Sequence, residues 1–404
     1  MTIDRYRINV ILLVLAQALY LSCSIGFFTY GGLVGAMLSD IPALATLPIS
    51  VFALGTALMA IPMSMLMKKW GRRRGFFAAI CAGIASGLVG ATAIYIGSFW
   101  LFCGSALLMG SYQAGAQFYR FAAMEVVPLH YRPKAVSYVL AGGVLAALGA
   151  PLYFNAANTL SEPITFMGTY LGVTALSLFA FIPISLVTFP NKEEEEAEIR
   201  DERNRPLIDI IKQPVFLAAV ANGCGGYALM TLVMTAAPVA IVACGFTPVS
   251  ASYVIQWHIL AMTLPAFVTG TIILKTGVIP VLMAGVGLFI IAALTGLSGQ
   301  TIPYFGAALI LVGLGWNFMF TGGTTLLAES HTAAERAKVQ GLNDFFVFGG
   351  AALASFFAGS LHAWFGWDAI QYATFGMVSV VGSITVWFGF WRRKSAMNTV
   401  RTTG

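Results

Sequence analysis

SMLMKKWGRRRG, residues Ser64 to Gly75, gathers five cations around Trp70 and Gly71: Lys68, Lys69, Arg72, Arg73 and Arg74. Long apolar runs flank it on both sides. The whole chain of 404 residues is 58% hydrophobic and 9% charged, with mean hydropathy +0.84. Soluble domains carry about 25% charged residues, so the cluster reads as a basic turn between two spans of an integral membrane protein.

Working outward from that turn, apolar runs of about 20 residues recur along the chain, the length of a helix that crosses the bilayer core. They cover Ile8–Leu38, Ala43–Met67, Gly75–Ile96, Trp100–Met124, Ala135–Ala156 and Thr165–Phe189. Beyond a charged segment come Val215–Val242, Pro248–Leu274, Val278–Leu297, Ile302–Leu327, Val339–Ala363 and Trp367–Trp391. A membrane barrel needs alternating segments of about 10 residues instead. The fold class is therefore an all-α membrane protein of about twelve transmembrane helices. Arg5 and Arg7 precede the first run as in a signal peptide, but the run continues well past the 7 to 15 residues of such a core, and it is expected to remain as the first span. The five cysteines, Cys23, Cys81, Cys103, Cys224 and Cys244, lie in or at the edge of spans without metal-type spacing, as buried small apolar residues do.

The cations sort by loop. Arg5 and Arg7 lie in the first tail, the opening five in the second loop, Arg132 and Lys134 in the fourth. Lys192, Arg200, Arg203, Arg205 and Lys212 lie in the central segment, Lys275, Arg336 and Lys338 in later even loops, and Arg392, Arg393, Lys394 and Arg401 in the last tail. Every Lys and Arg but Arg120 is thus on one side. The positive-inside bias places both termini in the cytoplasm and supports an even number of spans in a multi-pass membrane protein. The net charge of +6 reflects topology and does not point to nucleic acid.

The two halves repeat at an offset of about 206 residues: Ser64, Leu66, Lys69 and Gly71 recur as Gly270, Ile272, Lys275 and Gly277, Glu125 and Arg132 as Glu329 and Arg336, Gly142 and Gly143 as Gly349 and Gly350. Two pseudo-symmetric six-helix bundles are expected, residues 1–190 and 214–404, joined by a charged cytoplasmic linker over 191–213, with the chain acting as a monomer in lipid. The run NKEEEEAEIRDERNR, Asn191 to Arg205, has the composition of a solvated tether.

SMLMKKWGRRRG, together with twelve spans in two related halves, resembles the major facilitator superfamily, whose signature joins the second and third helices. The likeness covers essentially the whole chain and implies the major facilitator fold. The chain departs from the signature at Ser64, where a glycine is usual, and at Lys68, where an acid is usual and helps to latch the halves beside the eleventh helix. Asp344, in QGLNDFFVFGG, stands near the start of the eleventh span. A sign-exchanged latch of Lys68 with Asp344 is the corresponding expectation, and Arg72 to Arg74 serve equally as topology anchors.

The resemblance implies a central cavity lined by the first, fourth, seventh and tenth helices, with substrate between the halves near the midplane. Gln113, Gln117 and Arg120 share one face of the fourth span at i, i+4, i+7, and Asn317, Thr321 and Thr324 repeat the pattern in the tenth. These amides either line the cavity or bond helix to helix. Gln17 and Asn222 are a further related pair, and Tyr112, Trp316, Tyr20 and Tyr227 offer aromatic faces. Arg120 is an ionised group at membrane depth, open equally to a substrate role and to snorkelling or pairing with Glu125. Glu125 with Arg132, and Glu329 with Arg336, stand at helix mouths as expected gate pairs. His258 in the eighth span is either a proton carrier or a packing histidine.

The sequence holds no G-x-x-x-x-G-K-[ST] loop, and neither a metal-ligand cluster nor a nucleophilic constellation, so neither enzyme nor cofactor is expected. A gradient-driven secondary transporter of a small organic solute, working by alternating access, is the resulting expectation. GGVLAALGAP, Gly142 to Pro151, resembles the fifth-helix motif of exporters in the superfamily but has Ala150 inside the usual glycine–proline pair. RPKAVSYVLAGG and VQGLNDFFVFGG are similar to a proteobacterial branch that includes riboflavin importers. Riboflavin uptake is therefore the expectation, with a multidrug or metabolite exporter and a transporter-like receptor as the alternatives.

Overall fold

The computed structural model describes residues 3–128, 132–189, 205–332 and 335–403. The side chains of Lys68, Arg132 and Arg336, three of the expected gate residues, and the linker over 191–204 lie outside the described residues.

Fourteen α-helices are described: α1 (Ile3–Leu38), α2 (Leu47–Trp70), α3 (Arg72–Ile96), α4 (Phe99–Ala116), α5 (Tyr119–Glu125), α6 (Arg132–Leu160), α7 (Met167–Leu186), α8 (Leu207–Ile211), α9 (Pro214–Ala243), α10 (Pro248–Thr263), α11 (Ala266–Thr276), α12 (Val278–Leu297), α13 (Ile302–Glu329) and α14 (Arg336–Thr403). Among the described residues ten helical stretches are long and apolar enough to cross a membrane, counting α10 with α11 as one. A further crossing is the broken pair α4 and α5. The stretch from Lys338 to Ser395 runs 58 residues, about 87 Å of helix against a bilayer core of about 30 Å. Gly366, at φ 75° and ψ −168°, breaks it into two limbs, a conformation open to glycine because it has no Cβ. Twelve crossings result.

Local chemistry sets the helix ends. The Ser98 hydroxyl accepts from the Leu101 amide at 3.4 Å to cap α4, and the Thr247 hydroxyl accepts from the Ser250 amide at 3.2 Å to cap α10. Proline occupies the first turn of α2, α9, α10 and α13, where a missing N–H goes unmissed. Gly71 and Gly277 make the two basic turns with nearly identical backbones, φ 88° and ψ 159° against φ 87° and ψ 164°. The expected repeat is thus present in conformation as well as in sequence.

Packing follows the same two-fold. In the first half α1 lies against α6 and α7, α4 against α2 and α3, and α3 against α7. In the second half α9 lies against both limbs of α14, α13 against α10 and α12, and α12 against α14. Across the halves α2 meets α14 and α6 meets α10, again as a symmetric pair. Three hydrogen bonds tie this seam at the cation-free end. Thr46 Oγ1 donates to Ser355 O at 2.8 Å, Ser50 Oγ to Ser355 Oγ at 3.1 Å, and Asn155 Nδ2 to Ser252 Oγ at 3.4 Å, while the Tyr30 hydroxyl donates to Asn155 Oδ1.

Candidate functional site

Between the halves, near the middle of the bundle, the seam changes character from bonded hydroxyls to aromatic rings and unpaired polar atoms. From the second half come Tyr227 of α9, Trp316 and Phe320 of α13, and Phe348 of α14. Trp316 stacks on Phe320 with ring centroids 5.0 Å apart and planes 10° apart. Tyr227 stands edge-on to Trp316, Phe320 and Phe348 at 5.9, 5.9 and 5.4 Å. The period of α13 puts Trp316 and Phe320 four residues apart on one face.

The first half sends α4 and α5 to the same place. Gln113, only 4% exposed, neighbours the Tyr227 hydroxyl, yet its Oε1 has no hydrogen-bond partner. The expected stripe Gln113, Gln117 and Arg120 does not lie on one continuous helix. α4 ends at Ala116, the Phe118 amide bonds back three residues to Gly115 at 3.0 Å, and α5 restarts at Tyr119. Gln117 is half-buried at this break. Arg120 sits with its guanidinium over the Phe121 ring at 4.9 Å and a buried, unpartnered Nε. Its charge acts electrostatically on Asp344 of α14 and on Tyr227 of α9, both in the other half. Asp344 also accepts from Asn343 Nδ2 at 3.2 Å.

Buried polar atoms without a partner call for an explanation, and their distribution here is uneven. Of the twelve such side-chain atoms among the described residues, eight belong to the helices expected to line the cavity, and apart from the hydroxyls of Tyr112 and Tyr119, which lie beside each other inside the first bundle, they are those of Thr29, Gln113, Arg120, Thr231, Thr235 and Trp316. A site that waits for a polar ligand leaves such atoms unmatched.

Residues 16–278 and 227–403 match the Major Facilitator Superfamily. The chain belongs to that superfamily. It is 40% identical over 376 residues to the riboflavin transporter RfnT of Brucella anthropi, covering 93% of this chain and 94% of that one. It is 26% identical over 350 residues to an uncharacterized MFS-type transporter, YdeG, of Bacillus subtilis, covering 82% and 81%. In fold it is similar to the nucleoside transporter NupG, with a TM-score of 0.65 at 13% identity over 94% of this chain and 98% of that one. A point mutant of NupG gives 0.68 at 14% identity. The protein is a multi-pass membrane transporter and not an enzyme.

Other expected site residues of this major facilitator transporter face away from the seam. Asn317, 2% exposed, donates from Nδ2 to Met262 O at 2.8 Å and accepts from Thr269 Oγ1 at 2.7 Å. Pro265, which has no N–H, divides α10 from α11, and Asn317 staples the two sides of that break. Asn222 is fully buried and exchanges hydrogen bonds of 2.9 and 3.1 Å with Thr385, joining α9 to the second limb of α14. Gln17 lies where α1 meets α6, its Cβ within 3.3 Å of the position a Cβ would take at Gly142. Tyr112 is fully buried in the first bundle, over Gly83 and edge-on to Tyr20 at 5.3 Å.

The gate pairs also differ. Glu125 is held by Arg72 of the basic turn, with Nε donating at 3.1 Å and Nη2 adding an ion pair. Arg72 is therefore more than a topology anchor, and its pairing with Glu125 was not legible, because spacing placed Arg132 nearer. Glu329 meets Arg392 at 3.3 Å, with both side chains half exposed, a pairing worth little in water. The strongest ionic cluster was missed altogether. Glu335, fully buried, accepts from Arg205 Nε and Nη2 at 2.8 and 2.7 Å, from the Arg205 amide at 2.7 Å and from the Thr332 amide at 3.0 Å. The Arg205 guanidinium holds this carboxyl well below its ordinary range. His258 donates from Nδ1 to Leu309 O, 2.7 Å away, inside the α10–α13 contact.

Proposed function

We propose that this transporter takes up riboflavin across the bacterial inner membrane as a monomer, with its basic end in the cytoplasm. The observation that carries the reading is the unpaired carbonyl of Gln113, a side chain that neighbours Tyr227 of the Trp316–Phe320–Tyr227 panel across the seam. A flavin ring is flat, so it stacks on Trp316. Its pyrimidine-like edge carries an N–H flanked by carbonyls, which suits the Gln113 Oε1 acceptor. The likeness to RfnT over 93% of the chain supports the same cargo.

The seam tied at the cation-free end fits a conformation shut toward the outside, in which substrate leaves toward the cytoplasm. Asp344 lies within electrostatic reach of Arg120 here, and in the opposite conformation it serves as the latch for Lys68. Arg132 and Arg336 act as gates at the helix mouths beside these pairs.

Purified protein in liposomes should accumulate labelled riboflavin, and unlabelled flavin should compete where nucleosides and cationic dyes do not. Extrusion of dyes with no riboflavin movement would replace uptake by export. A cysteine at position 198 should react only with reagents that reach the cytoplasm, and efficient labelling from outside overturns the orientation.

A further inference from the structure

A threonine in a helix ordinarily donates its hydroxyl to the carbonyl one turn back. Thr56, Thr269, Thr374 and Thr385 do so, at 3.1, 2.8, 2.9 and 2.8 Å. The buried Thr46 and Thr169 bond instead to Ser355 and Asn158. Three other buried threonines break the rule. Thr29, Thr231 and Thr235 are 1%, 2% and 1% exposed, and none of their hydroxyls has a partner.

These three converge. Thr231 and Thr235 are one turn apart on one face of α9, and Thr29 is on α1, which crosses α9 at this level. One turn beyond Thr29, a Cβ at Gly32 would stand 3.3 Å from Val239 Cγ2 and 3.9 Å from Thr235 O. Tyr227, part of the aromatic panel, lies one turn from Thr231 on the other side. The hydroxyls therefore lie one to two turns from the ring site, toward the cation-free end. A valine has the same shape as threonine and would fill this seam without an unpaired atom, whereas each orphaned buried hydroxyl is destabilising. Packing alone gives no reason for three of them.

We infer that Thr29, Thr231 and Thr235 form a subsite for a hydroxylated chain and read the polyol tail of the substrate once the halves part at the cation-free end. This rests on the riboflavin reading. Each threonine hydroxyl is both donor and acceptor, as is each hydroxyl of a polyol, so a run of one matches a run of the other. With the ring at Gln113 and Trp316, the tail points along α9 past Thr231 to Thr235, about 12 Å of helix from Tyr227.

The test compares riboflavin with lumiflavin, the same ring system carrying a methyl group in place of the polyol. Thr231→Val and Thr235→Val should each raise the half-saturating riboflavin concentration about 5-fold or more. Inhibition by lumiflavin should stay at the wild-type concentration, and Thr231→Ser and Thr235→Ser should restore riboflavin affinity. If the valine variants move both ligands by the same factor, or move neither, the hydroxyls do not read the tail. If the wild-type protein moves no riboflavin at all, the cargo assignment falls, and the tail assignment falls with it.

Discussion

Gln113 and Asn317 occupy equivalent places in two halves that share a backbone two-fold, yet their surroundings are opposite. Gln113 ends α4 with its carbonyl unpaired at the seam, while Asn317 turns into its own bundle and bonds at both ends. The difference comes from a neighbour. Pro265 breaks the helix beside Asn317 and an amide is drawn to the break, whereas α2, the counterpart of α10 and α11, runs unbroken from Leu47 to Trp70 past Pro62. Symmetry carries over to helix directions and contacts. It does not carry over to polar side chains, whose partners are set by atoms within about 3 Å.

Breaking that comparison at Gln113 should give the largest effect. Gln113→Ala removes an acceptor from a largely dry site and should weaken riboflavin binding about 5- to 150-fold, with thermal stability near wild type. Equal loss of affinity and stability would make Gln113 a packing residue like Asn317.

Charge reversal at the seam comes next. Lys68→Asp and Asp344→Lys each place like charges together, which costs several kcal/mol, and should cut transport by about tenfold or more. The double exchange should recover much of it, and a double variant no better than the worse single one removes the latch.

Asn317→Ala should show the reverse of Gln113→Ala. It leaves the Met262 carbonyl without its donor, a loss of about 1–3 kcal/mol in stability, and the protein that remains folded should bind riboflavin with wild-type affinity. A rise in half-saturation without a lower melting temperature would return Asn317 to the binding site.

The smallest effect belongs to the Arg205–Glu335 clamp. Arg205 lowers the Glu335 carboxyl below its ordinary value of 4.5, so the clamp stabilises the folded state above pH 4.5 and its contribution fades as pH falls toward the lowered folded value. The difference in melting temperature between wild type and Glu335→Gln should be full at pH 7 and shrink below pH 4.5. A gap that grows on acidification contradicts the pairing.

Some of the site was legible because chemistry and position coincided. Arg120 stood out as the cation outside the basic end, and Asp344 as an acid near the start of the eleventh span, and they lie within electrostatic reach of each other across the halves. Gln113 and Trp316 were legible as polar and aromatic groups on the helices expected at the cavity. Phe320 and Phe348 were not, since thirty phenylalanines in a greasy chain give no sign of which ones meet a seam. The unpaired threonines were equally hidden, because a missing hydrogen bond is a property of a neighbourhood.

The sequence by itself determined the membrane class, the twelve crossings, the repeat and the segregation of charge. Each of these depends on residue type and spacing alone: about 20 apolar residues cross the bilayer whatever surrounds them, and cations are retained on one side of it. Tertiary structure alone decided which amide is free and which is bonded, that Arg72 holds Glu125, and that Glu335 is buried against Arg205. A hydrogen bond or ion pair needs two groups at a set distance and angle, and those come from helices far apart in the chain, brought together by close packing.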